Sequence, residues 1–144
     1  MAAERRASVT WNGDLMSGSG TIDEVGSGAF GALDVSWPAR SEEATGGKTS
    51  PEELIAAAHA SCFSMALAGG LAKAGSPPDR LRTSAAVTFV PGTGITTIAL
   101  SVRGTVPGLD ADGFREAAED AKKNCPVSQA LAGVPEITLD AALE

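Results

Sequence analysis

Apolar and polar residues alternate in short runs toward both ends of this chain. Between Ser50 and Leu67 they give way to a stretch that is apolar or small on every side. That stretch opens with a full set of helix-start signals. Ser50 suits an N-cap, and Pro51 sits at the first helical position, where its missing N–H costs nothing. Glu53 completes a capping box with Ser50. After Glu53 the next charged residue is Lys73, so the pattern predicts a helix over residues 51–74 that is apolar all round and therefore belongs in a core. Gly75-Ser76-Pro77-Pro78 ends it, because glycine suits the C-cap and proline cannot continue the ladder.

The flanking runs read as strands. Residues 7–11 alternate, Asn12-Gly13-Asp14 turns the chain, and a second strand falls near 16–22. Gly26-Ser27-Gly28 breaks it, and residues 30–37 form a third, with Leu33, Val35 and Trp37 on one face. Residues 38–49 are polar, contain Gly46-Gly47, and read as a loop holding Arg40. Beyond the helix, residues 81–90 and 95–103 are β-rich runs joined by Pro91-Gly92-Thr93-Gly94, a hairpin signal. Asp110 or Asp112 caps a helix reaching Asn124, Pro126 opens a short one through about Leu131, and residues 135–143 form a last strand with Ile137 and Leu139 facing together. The order βββ-α-ββ-α(α)-β is α+β, with mostly antiparallel strands around a long buried central helix.

Composition narrows the function. The 144 residues fit one domain, 1–144, with no internal repeat or linker. A net charge of −7 argues against nucleic acid and anionic membrane as partners. No signal peptide is visible and no segment reaches the roughly 20 apolar residues that span a bilayer, so the expected location is the cytoplasm. There thiols stay reduced, and the chain's two cysteines are expected to be reactive or buried rather than a permanent disulfide.

Cys62 lies mid-helix, where a free cysteine is often core filler. Cys125 directly precedes Pro126 and so lies at a helix start, where the dipole and free N–H groups favour a thiolate. One buried cysteine and one at a helix start is the arrangement of a redox pair, to be assembled by the fold. His59 shares a helix face with Cys62, which permits a Cys–His nucleophilic pair or half a metal site. A metal site lacks further ligands, since the chain has one His and two Cys, and a lone His on an apolar helix is most often a core residue. Glu53 is spoken for by the capping box; Glu52 remains available for another task.

Pro51-Glu52-Glu53-Leu54-Ile55 running into Ala57-Ala58-His59-Ala60-Ser61-Cys62-Phe63-Ser64-Met65-Ala66-Leu67, with Asn124-Cys125-Pro126-Val127-Ser128-Gln129 downstream, resembles the OsmC/Ohr family of thiol peroxidases. The resemblance extends over essentially the whole chain, and His59 together with an arginine just before the central helix favours the OsmC branch. It implies a reductase of organic (alkyl or lipid) hydroperoxides working without a bound cofactor or metal. Cys62 would be the peroxidatic cysteine, Cys125 the resolving one, and Arg40 and Glu52 the supporting pair. The implied partners are a second copy of the chain, in an intertwined homodimer, and an external dithiol reductant such as a lipoyl-bearing protein. Two other classes compete: a Cys62–His59 thiol hydrolase, independent of Cys125, and a non-catalytic module holding a hydrophobic ligand.

Spacing adds a constraint. Glu52 and Cys62 are ten residues apart, roughly 15 Å along a continuous helix. Both cannot touch Arg40 closely within one straight helix. Either the helix breaks near residues 58–60, or the glutamate of a site comes from a partner chain whose helix runs antiparallel; the small, apolar helix favours the partner.

Overall fold

A computed structural model describes residues 1–144, which divide into two compact units, Met1–Glu52 and Glu53–Glu144. The first unit is built on an antiparallel meander of β1 (Ala7–Asn12), β2 (Ser19–Val25) and β3 (Gly31–Val35). β2 begins later than the sequence suggests because residues 14–18 are spent in the turn. The Asp14 carboxylate accepts from the Ser17 N–H at 2.7 Å, and the Asp14 carbonyl accepts from the Gly18 N–H at 3.0 Å. The Trp11 ring lies across β2 at Gly20, where a Cβ would come within 2.7 Å of it.

β3 stops at Val35, so Trp37 does not share its face. Ser36 instead starts a short helix, α1 (Trp37–Ser41), its hydroxyl accepting from the Ala39 N–H at 3.2 Å, with Pro38 in the first turn. Arg40 therefore rides on a helix, not in a free loop. The chain after α1 is tied back to β3, where the Thr49 N–H donates to the Asp34 carbonyl at 2.9 Å.

α2 runs unbroken from Pro51 to Lys73 and ends as expected, with Gly75 at φ +87°. The second unit continues with β4 (Arg80–Val90), β5 (Gly94–Thr105), α3 (Ala111–Asn124), α4 (Pro126–Ala130) and β6 (Glu136–Leu143). β4 and β5 form the expected hairpin. β6 pairs parallel to β5, from Thr97↔Glu136 to Gly104↔Leu143. The parallel pairing follows from connectivity: α3 and α4 carry the chain from the end of β5 back to its start. Asp110 caps α3, accepting from the Gly113 N–H at 2.7 Å.

The core of this unit joins Phe63, Leu67 and Leu71 of α2 to Ile98, Leu100 and Val102 of β5 and to Phe114, Ala118 and Ala121 of α3. His59, Phe63, Leu67 and Leu71 recur every fourth residue, so one stripe of α2 is buried. The helix is not covered on every side: Met65 is 74% exposed and Gly69 and Gly70 have open space beside them. Ile55, Cys62 and Ala66 are partly buried against the same core. By length and composition alone α2 could also cross a bilayer, which corrects the expectation that no segment is long enough.

Candidate active site

Two of the predicted residues meet in the first unit. The Arg40 Nε donates to Glu52 Oε1 at 3.0 Å and Oε2 at 3.2 Å, and its Nη2 lies 2.9 Å from Oε1. The Glu52 side chain is only 8% exposed and that of Arg40 31%. A planar guanidinium meeting a sheltered carboxylate through two nitrogens is held in orientation as well as in place. α1 supplies the arginine from its last turn and the first turn of α2 supplies the glutamate.

The other residues meet in the second unit. Cys62, half-buried on α2, and Cys125, fully buried, are both free thiols that pack in one core cluster and influence each other's titration. Cys125 occupies the junction where α3 ends and α4 begins; its N–H still bonds the Ala121 carbonyl at 2.8 Å, and it is the N-cap of α4. Its sulfur closes no capping hydrogen bond there, yet the α4 donors bear on it. Burial alone would raise the Cys125 pKa. The Ser128 N–H, the Cys62 thiol, the Ser128 hydroxyl and the Val127 N–H outweigh burial and bring it below the ordinary thiol value. Cys62 goes the other way. Burial pushes it up, the Val127 N–H pulls against that, and the Cys125 sulfur adds to the rise. The two thiols are therefore shifted in opposite directions, Cys62 up and Cys125 down.

His59 is fully buried, and its Nε2 lies 2.6 Å from the Ser128 Oγ. Its Nδ1 has no hydrogen-bond partner, so the imidazole makes no bond to Cys62 and the Cys–His hydrolase pair is not formed. Burial lowers its pKa and keeps it neutral. Ser128 is the site residue that the reading of individual residues passed over. The signal was its place at the third position of a helix whose N-cap is Cys125.

These features describe an α+β protein with a facing thiol pair and a sheltered Arg–Glu pair. The family model for OsmC-like protein matches residues 44–140, and the chain belongs to the OsmC family. It is 42% identical to the peroxiredoxin OsmC of Escherichia coli over 147 aligned positions, covering all of this chain and 99% of that one. The organic hydroperoxide resistance protein of Xanthomonas axonopodis pv. citri is 33% identical over 119 positions, 77% of this chain and 80% of that one. Among solved structures, an OsmC-like protein from Mycoplasma pneumoniae superposes with a TM-score of 0.73 at 17% identity, over 99% of both chains, which shows the shared fold.

Proposed function

We propose that this chain is a thiol peroxidase that reduces organic hydroperoxides, with Cys62 as the peroxidatic and Cys125 as the resolving cysteine. The observation that carries the reading is that the only two cysteines, one from α2 and one from the α3–α4 junction, pack as free thiols in one core cluster. The names of the relatives, a peroxiredoxin and an organic hydroperoxide resistance protein, support the same reading.

In this reading the Cys62 thiolate attacks the distal oxygen of the hydroperoxide. An S–O bond forms, the O–O bond breaks, and the departing alkoxide takes up a proton to leave as the alcohol. Cys62 is now a sulfenic acid. The Cys125 thiolate attacks its sulfur, an S–S bond forms, and hydroxide leaves to become water by taking up a proton. An external dithiol, of which a lipoyl-bearing protein is one type, returns both cysteines to thiols by exchange, and no bound cofactor takes part. A cytoplasmic setting suits that reductant.

In this reading Cys62 needs a positive partner to favour its thiolate, since burial raises its thiol pKa. Arg40 is committed to Glu52 at the first turn of α2, and α2 has no break that would shorten the ten-residue rise to Cys62. We propose that the Arg40–Glu52 pair of one copy serves Cys62 of a second copy in a homodimer. The uncovered apolar surface of α2 around Met65, Gly69 and Gly70 supports this, since small residues let another helix approach closely.

The direct test is peroxide consumption with a dithiol, measured for the wild type, Cys62→Ser and Cys125→Ser. Turnover that survives Cys62→Ser in a folded protein refutes the reading.

A further inference from the structure

We infer that His59 and Ser128 are positioning residues for the resolving half of the reaction: neutral His59 donates its Nε2 hydrogen to the Ser128 oxygen, which leaves the Ser128 hydroxyl hydrogen for the Cys125 sulfur. The inference deepens the peroxidase reading and rests on it. The Nε2 to Oγ distance is 2.6 Å, and His59 and Cys125 are fully buried while Ser128 is nearly so. The bond can run in two directions. If Ser128 donated to Nε2, the imidazole hydrogen would sit on Nδ1, which is buried and has no acceptor. An orphaned buried N–H is rarer and costlier than a buried nitrogen lone pair, so the hydrogen belongs on Nε2. A hydroxyl has one hydrogen to give. With its oxygen already occupied by His59, the Ser128 hydrogen is free to point at Cys125, where the hydroxyl bears on the sulfur.

The consequence falls on one chemical step. The Cys125 thiolate attacks the sulfenic sulfur of Cys62. The S–S bond forms as the S–O bond breaks, the thiolate sulfur is oxidised and the sulfenic sulfur reduced, and hydroxide takes up a proton to leave as water. A donated hydroxyl favours the Cys125 thiolate over the thiol and directs a lone pair of the sulfur. The Ser128 and Val127 N–H groups and the Cys62 thiol act on this sulfur as well, and the hydroxyl adds to them; charged side chains do not. α4 contains no titratable side chain, and on α3 Lys122 is paired with Glu119 while Lys123 is exposed. From α2, Cys62 and His59 are the titratable groups that reach Cys125, the latter through Ser128.

The test uses the ultraviolet absorbance of the Cys125 thiolate against pH in the Cys62→Ser background, which needs no reagent to enter the buried site. Disulfide closure after one equivalent of hydroperoxide is followed in the proteins that keep both cysteines. Ser128→Ala removes a single oxygen; it should raise the Cys125 pKa and slow closure roughly tenfold, the loss expected for a hydrogen bond to a charged group. Ser128→Thr keeps the hydroxyl, and His59→Gln keeps a donor near the same place without a titrating ring; both should stay near wild type, while His59→Leu should follow Ser128→Ala. An unchanged thiolate profile and closure rate in Ser128→Ala overturns the inference. So does a His59→Gln protein that behaves like His59→Leu, since the imidazole would then act as a base. The absorbance titration consumes no peroxide, so it decides this point even where the peroxidase reading fails, and that failure shows separately as no sulfenic acid in Cys125→Ser.

Discussion

Arg40 grips Glu52 through both Nε and Nη2, at 3.0 and 2.9 Å from the same carboxylate oxygen. The pair is complete within one chain, so the guanidinium is already oriented before any substrate arrives. Lysine at position 40 would keep the charge but lose the two-nitrogen grip. In the proposed dimer, Arg40→Lys should therefore raise the Cys62 pKa and slow its oxidation, while Arg115→Lys, on an exposed turn of α3, should do neither. Alkylation of Cys62 against pH in the Cys125→Ser background measures this. An unchanged profile for Arg40→Lys would assign the role to another cation.

Cys62→Ser should abolish peroxide consumption without unfolding the chain, since oxygen replaces sulfur at a half-buried position with little change in shape. Cys125→Ser should behave differently: it should consume about one equivalent and stop at the sulfenic acid, which a dimedone-type probe would trap. Sustained turnover by Cys125→Ser with the same dithiol would show that resolution does not need the second cysteine.

The helix starts at Pro51 and Pro126 were legible from local rules, and Cys62, Cys125, Arg40 and Glu52 stood out through the family resemblance of the motifs around them. The local rules also placed the β4–β5 hairpin, α3 and the end of α2. What the sequence left hidden was relational. The parallel pairing of β6 depends on where α3 and α4 deliver the chain, and α1 was hidden because Ser36 and Pro38 lie inside an apparent strand end. The opposed shifts of the two thiols arise from burial and the neighbouring sulfur at Cys62 and from the Ser128 and Val127 donors at Cys125, groups that only the tertiary fold brings together.

Substrate size should matter. Cys62 packs against the apolar core that includes Phe63, and Ile55 and Ala66 border the same core. Each buried methylene is worth about 0.8 kcal/mol, so a few extra carbons should favour a bulky alkyl hydroperoxide over hydrogen peroxide by roughly tenfold or more in kcat/KM. Equal efficiencies at saturating reductant would contradict an apolar approach to the sulfur.

Gly104 on β5 admits the Phe114 ring of α3. A Cβ there would lie 2.6 Å from two ring carbons, and 3.2 Å from Leu81. Phe114 is fully buried in the core of this unit. Gly104→Ala should destabilise the second unit by about 1–3 kcal/mol, measured by denaturant unfolding. Adding Phe114→Leu should recover part of the loss; full additivity of the two losses would show that the clash is not the cause.

The strongest test of a site shared between chains is complementation. Cys62→Ser lacks the nucleophile but keeps the Arg40–Glu52 pair, and Arg40→Gln keeps the nucleophile but lacks the guanidinium. Each homodimer should be inactive or nearly so. When the two are unfolded together and refolded at equal amounts, half the dimers are mixed. In a mixed dimer one site receives Cys62 from one copy and Arg40 from the other and is intact, while the opposite site carries both lesions. Activity should return to about a quarter of wild type, the share of restored sites under random pairing in a two-fold dimer. If Arg40 and Cys62 of the same chain worked together, every site in the mixture would carry one lesion and no activity would return. Sedimentation of the refolded mixture, run beside the assay, confirms that dimers formed, so a silent mixture of intact dimers refutes the shared site.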